Sequence, residues 1–273
     1  MTSQDEASRK AASTYDAAAD FYDDPANGFW DRYGRASVAR LDLAPGWHVL
    51  DACCGSGASA IPAAQAVGPS GSVLGIDLAE NLLDLARAKA QERGLANIAF
   101  RKGDILDLNL PCASFHAVVC VFGIFFVPDM ERAVRELWKL VRPGGRLGIT
   151  TWGPRFFEPM NTVFWNAVRG VKPDLYKGFN PWDRICEPGA LRDLLGSAGV
   201  EMLAATAEAR SHVLRTPDDW WAMVLGTGYR GTIEQLDADA RARVRRDCLE
   251  YIHANGVREV EANVVYAIGT KET

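Results

Sequence analysis

The chain has little of what usually betrays a metalloprotein, a membrane protein or a nucleic-acid binder. Its six cysteines, at positions 53, 54, 112, 120, 186 and 248, form no Cys-x-x-Cys pair and share no zinc-like spacing with histidine. No metal site is therefore expected, and reduced thiols in a cytoplasmic protein are the simplest reading. The longest apolar run, residues 117–127, is too short to span a bilayer and stops at Pro128-Asp129. It reads instead as a buried strand entering an apolar loop, and no membrane partner is expected. The stretch Met1 to Lys10 is polar and lacks the apolar centre of a secretory signal. Positive charge is in deficit, with 30 Lys plus Arg against 35 Asp plus Glu and a formal charge of −5. That balance argues against nucleic acid. The one basic run, Arg241 to Arg246, is flanked by Asp237, Asp239, Asp247 and Glu250 and reads as a solvated helix face. What remains is 273 residues, 48% hydrophobic and 24% charged, enough for one large α/β domain with a cap.

Periodicity divides the chain in order. Residues 1–45 read as lid helices: a helical pattern carries Tyr15, Phe21, Tyr22, Phe29, Trp30 and Tyr33 and breaks at Asp24-Pro25-Ala26-Asn27-Gly28. Residues 46–152 read as a core of strands at 47–51, 72–77, 97–101, 116–121 and 146–151, alternating with helices at 58–67, 79–93 and 130–141. That alternation predicts a doubly wound, Rossmann-like parallel sheet, with its ligand beyond the carboxyl ends of the strands. Residues 153–186, rich in Pro, Trp and Phe with weak periodicity, read as a cap inserted after the fifth strand. Residues 187–273 are expected to add a helix to Ser197, a long strand over 199–214, a helix from Thr216-Pro217, a charged helix over 237–254 and a last strand over 259–269. The whole is expected to be a single domain.

Gly55-Ser56-Gly57-Ala58-Ser59-Ala60 fits Gly-x-Gly-x-x-Gly/Ala, and Asp77 follows at about the distance a dinucleotide fingerprint requires. An NAD(P)-dependent oxidoreductase is therefore the alternative to consider. Asp51 argues against it, because a carboxylate at the first strand's end would repel a pyrophosphate in a low-dielectric cleft. A cationic ligand reverses the sign, and S-adenosylmethionine is one that carries no phosphate. Asp77 can accept from both ribose hydroxyls, Leu78 can pack on the adenine, Asp104 can accept from its amino group, and the Ile105 N–H can meet a ring nitrogen.

These motifs, with Val49-Leu-Asp-Ala-Cys-Cys-Gly-Ser-Gly57, Gly75-Ile-Asp77-Leu78, Gly103-Asp104-Ile105, Val121-Phe122-Gly123 and Leu140-Val-Arg-Pro-Gly-Gly-Arg146, carry a resemblance. Residues 47–152 resemble the core of a class I S-adenosylmethionine-dependent methyltransferase of the small-molecule branch, similar to ubiquinone and menaquinone biosynthesis enzymes. The resemblance implies a seven-stranded sheet whose last strand inserts antiparallel. It implies cofactor contacts at Asp51, Gly55, Asp77, Leu78, Asp104, Ile105 and the backbone at Val121 and Phe122. Tyr15-Asp16 and Phe21-Tyr22-Asp23 are similar to the lid helix of that branch. Two positions depart from the pattern: Cys53 replaces the first turn glycine, close to the methionine portion, and His116 stands where an aspartate is common. Gly103 joins the expected cofactor contacts, as do Tyr15 and Tyr22 from the lid.

Methyl transfer needs collinear nucleophile, methyl and sulfur and exclusion of water more than it needs a base. The candidate bases are Tyr22 and His212; a buried structural histidine is the competing reading of the latter. Aromatic faces at Tyr15, Tyr22 and Phe122 can stabilise the sulfonium methyl. The acceptor pocket is expected from Phe125, Phe126, Trp152, Trp182 and Tyr229, and eight tryptophans in the chain suit an aromatic or apolar small molecule. The same aromatics can serve as core or as a homodimer surface. The Asp/Asn-Pro-Pro-Tyr/Phe sequence of amino-methylating enzymes on nucleobases does not follow the fourth strand. A third reading is a non-catalytic partner protein that keeps the cofactor pocket without turnover.

Overall fold

A parallel sheet covered on both faces has no solvent side, so its central strands are buried and mostly apolar. That is the burial seen along β1, where every residue after His48 is buried. The computed structural model describes residues 3–273, with residues 3–8 through their backbone alone; the first two residues of the lid stretch lie outside the described residues. The strands are β1 (His48–Ala52), β2 (Ser72–Asp77), β3 (Ile98–Lys102), β4 (Phe115–Val121), β5 (Val141–Trp152), β6 (Ala204–Glu208), β7 (Ser211–Val213), β8 (Glu259–Glu261) and β9 (Val264–Thr270). Seven of them form one sheet in the order β3-β2-β1-β4-β5-β9-β6. The first five are parallel, and β9 runs antiparallel between β5 and β6. The order reverses between β1 and β4, which opens a crevice at their carboxyl ends.

The helices are α1 (Ser3–Tyr22), α2 (Phe29–Arg40), α3 (Ala60–Val67), α4 (Glu80–Glu92), α5 (Met130–Leu140), α6 (Met160–Val171), α7 (Pro188–Ser197), α8 (Pro217–Leu225), α9 (Arg230–Ile233) and α10 (Ala238–Asn255). Between α1 and α2 the Asp24 carboxylate accepts the Ala26 N–H at 2.8 Å, and Pro25 opens a short 3₁₀ turn. This break lets α2 turn inward. It buries Phe29, Trp30, Tyr33, Ser37 and Val38, a stripe at helical spacing. Gly34 on that stripe lies against the start of α3, where a methyl group would come 2.2 Å from the Ala58 carbonyl oxygen.

Three expectations need correction. The strand expected over 199–214 is two strands, because β6 joins the main sheet while β7 pairs with β8 in a separate two-stranded sheet. The last strand, expected over 259–269, is likewise broken into β8 and β9. The two breaks satisfy one another: the Ala262 N–H donates to the Arg210 carbonyl at 2.7 Å, and the Arg210 N–H donates to Asn263 Oδ1 at 3.0 Å. Residues 153–186, read as weakly periodic, contain the regular helix α6, which buries Met160, Phe164, Trp165, Ala167 and Val168 and packs against α10.

The contact at Gly34 yields a prediction. Gly34→Ala should destabilise the protein by about 2 kcal/mol, since backbone cannot yield as a flexible side chain can. Denaturant unfolding checks it, and an unchanged midpoint would mean that α2 is free to shift on the core.

Candidate functional site

The site is built around a carboxylate at the end of β2. Asp77 Oδ2 accepts the Gly55 N–H at 2.8 Å, and its Oδ1 accepts the Ala79 N–H at 2.9 Å. The turn after β1 and the start of α4 are thus held to one side chain. Burial raises the Asp77 pKa, while the N–H groups of Ala79 and Gly55 pull it down. Gly55 has φ of +51°, and a Cβ there would meet the Tyr22 hydroxyl at 3.0 Å. A bare backbone therefore lets the lid helix seat directly on the turn. Cys53 and Phe122, at the ends of the neighbouring strands β1 and β4, both hold left-handed backbone, with φ of +61° and +56°. Such conformations cluster at functional sites.

The crevice encloses about 710 Å³ of empty space, including its open mouth. From the core, its walls bring together Cys53, Gly55, Asp77, Leu78, Gly103, Asp104, Ile105, Val121 and Phe122. The lid contributes Tyr15, Tyr22 and Trp30. Asp104 Oδ1 accepts the Leu106 N–H at 2.9 Å, which orders the loop after β3. Each carboxylate keeps lone pairs for a ligand. Neither Lys nor Arg lines the crevice among the described residues, so a pyrophosphate would meet two carboxylates and no counter-charge. S-adenosylmethionine, cationic and free of phosphate, fits this donor set.

Asp51 is placed differently from its expected position. It is fully buried beneath the turn and does not line the crevice. Oδ2 accepts the Ser59 hydroxyl at 2.7 Å, while Oδ1 is buried with no partner among the described residues. Burial pushes its pKa up to about 7, opposed by the Ser59 bond and assisted by the nearby charge of Asp77. The pleat of β1 turns this carboxylate toward α3 rather than toward the mouth. It anchors the turn from below.

The lid is tied on by polar contacts. Ser56 Oγ donates to Asp23 at 2.7 Å, and Lys89 Nζ donates to both at 2.9 and 2.8 Å. Farther along α1, Asp16 accepts from the backbone and side chain of Asn81. Tyr22 stacks on Trp30 at 5.1 Å, and burial holds its hydroxyl well above the ordinary tyrosine pKa. A proton-accepting role for it is thereby weakened. His212 does not reach the site: it sits in β7, edge-on to Phe29, and its Nε2 donates to the Ala26 carbonyl at 2.8 Å. Burial lowers its pKa, so the expected base is a structural histidine under the break between α1 and α2.

A second chamber of about 590 Å³, including its open mouth, lies beside the crevice, and Tyr15, Trp30 and Phe126 line both. Trp152, Trp182 and Tyr229, three of the residues proposed from the sequence for an acceptor pocket, line it together with Phe156 and Trp165. Phe125 does not: it is buried behind the wall, against Phe126 and Trp182. Lys177 and Phe179 also line the chamber. They lie in an irregular segment where no periodicity could have marked them.

Known proteins bear on this geometry. A family model described as a methyltransferase domain matches residues 49–145. The chain is similar to nocamycin O-methyltransferase of Saccharothrix syringae, with 31% identity over 88% of the chain and 90% of that protein. It is also similar to demethylmenaquinone methyltransferase of Geobacillus sp., at 36% identity over 41% of the chain and 47% of that relative. In fold it is similar to a SAM-dependent methyltransferase from Aquifex aeolicus, with a TM-score of 0.53, 20% identity, and coverage of 68% of the chain and 88% of that structure.

The raised pKa of Asp51 sets a direction for stability. The folded chain keeps a proton on Asp51 that the unfolded chain releases near pH 4, so this group's contribution is greatest below that pH and is lost as pH rises through about 7. Relative to Asp51→Asn, the wild type should lose about 2–3 kcal/mol between pH 5 and pH 8. Urea unfolding across that range measures it, and a pH-independent difference would contradict the burial of the charge.

Proposed function

The chain belongs to the S-adenosylmethionine-dependent methyltransferases, and on that premise we propose that it methylates a small aromatic or largely apolar molecule seated in the second chamber. The observation that carries this reading is the shared wall: Tyr15, Trp30 and Phe126 border the cofactor crevice on one side and the aromatic chamber on the other. A molecule in the chamber and a cofactor in the crevice would meet at that wall.

Bound S-adenosylmethionine supplies a methyl group already activated by a sulfonium. The chain's own residues then hold and shield. Asp77 and Asp104 offer acceptors to the ribose hydroxyls and the adenine amino group, with Leu78 and Ile105 against the base. Cys53, Val121 and Phe122 border the remaining part. Phe122 is fixed by stacking on Trp152 at 4.0 Å, which holds its ring in place despite the left-handed backbone. The lid, pinned through Asp23, Ser56 and Lys89, excludes water from the reacting atoms. We place the reaction in the cytoplasm, a setting supported by six free cysteines; among the described residues no helix is long and apolar enough to cross a membrane.

Two measurements test this. Calorimetric titration with S-adenosylhomocysteine should show binding, and Asp77→Asn should weaken it by about tenfold to a hundredfold, because the ribose contacts and the turn both depend on the carboxylate. Mass spectrometry of small aromatic acceptors incubated with enzyme and S-adenosylmethionine should show a methylated product. Binding of NAD without binding of S-adenosylhomocysteine would overturn the reading.

A further inference from the structure

The chamber's polar groups are one-sided. Among the described residues, Lys177 is the single charged side chain on its walls, and no carboxylate pairs with it. It is exposed as a residue and reaches the wall from the rim, with Nζ 5.4 Å from the Trp165 ring centroid. Burial of that end lowers its pKa, and the charge of Lys10 on α1 lowers it further. The indole N–H groups of Trp30, Trp165 and Trp182, three more wall residues, are buried with no hydrogen-bond partner among the described residues. Two of the wall hydroxyls are committed: Tyr229 donates to Asn161 Oδ1 and Thr227 to the Met223 carbonyl, both at 2.7 Å. Closed off from the open space, the indole nitrogens lie behind the wall, which leaves the Lys177 ammonium as the charged group that a ligand in the chamber meets.

Among the described residues, no carboxylate, histidine or thiol lines the chamber to accept a proton. The phenols of Tyr15, Tyr22 and Tyr229 are held protonated by burial. The Cys53 thiol is held protonated by its hydrogen bond with Cys120 and by burial. Asp77 and Asp104 lie on the cofactor side and line none of the chamber. A neutral alcohol would therefore have nowhere to send its proton. An amine would leave a cation beside the Lys177 ammonium.

Resting on the methyltransferase reading, we propose that the chamber selects an acceptor that arrives as an oxyanion, a carboxylate or an acidic phenol or enol, with Lys177 as its counter-charge. The oxyanion's lone pair forms the new O–C bond, and the C–S bond breaks with its electron pair left on sulfur. The negative and positive charges cancel, no proton moves, and the product is a neutral ester or ether. This neutrality favours release from a chamber tuned to an anion.

The test measures binding, with the protein saturated by S-adenosylhomocysteine so that no turnover intervenes. Calorimetry compares 2-naphthoate with 2-naphthamide, and 4-nitrophenolate with 4-nitroaniline. At least one anion should bind about tenfold or more tightly than its neutral counterpart, as charge-assisted hydrogen bonds would provide. The pair that discriminates tells a carboxylate from a phenolate or enolate acceptor. Lys177→Gln should reduce the preference to about twofold while leaving S-adenosylhomocysteine affinity unchanged. Equal affinity for anion and neutral counterpart in both pairs, no binding of either anion, or a preference that survives Lys177→Gln overturns the proposal. Loss of S-adenosylhomocysteine binding in the wild type would instead sink the underlying methyltransferase reading, so the two failures are distinguishable.

Discussion

The carboxylate of Asp77 holds two turns of backbone at once, and the rest of the site depends on that double hold. Through Gly55 it fixes the loop that leaves β1; through Ala79 it fixes the entry to α4. α4 in turn offers Asn81 and Lys89 to the lid. A chain of backbone and side-chain bonds thus runs from one buried acid to the helix that covers it. The acid stays effective because its hydrogen bonds oppose the desolvation that burial imposes.

The charge distribution separates the two compartments. On the crevice side the walls carry carboxylates and no cation; on the chamber side they carry an ammonium and no carboxylate among the described residues. Between them stand only rings. Opposite fields across so thin a partition favour ligands of opposite charge, one on each side, whose attraction brings their reactive atoms together at the wall.

Much of this was legible in the residues. The glycine turn, Asp77, Asp104 and the loop after β4 could be placed because parallel α/β units deliver their functional side chains at strand ends, whatever the details of packing. The antiparallel last strand came from a resemblance, not from periodicity. Asp51 shows the limit: its position at a strand end was evident, but which way it faced depended on the pleat of β1. His212 was misplaced because one apolar run, read as one strand, bends at Arg210 to pair with a segment some fifty residues away. Lys177 lies in irregular chain, where position follows from tertiary packing alone.

The partition formed by Tyr15, Trp30 and Phe126 has a consequence for how such a protein diversifies. Substitutions at these three rings alter both compartments, so a lineage cannot change them to admit a new acceptor without also disturbing cofactor retention. The outer wall, with Phe156, Trp165, Lys177 and Trp182, touches the chamber alone. Drift in specificity is therefore channelled to that outer wall, and the inner rings are the positions where inherited change is most constrained.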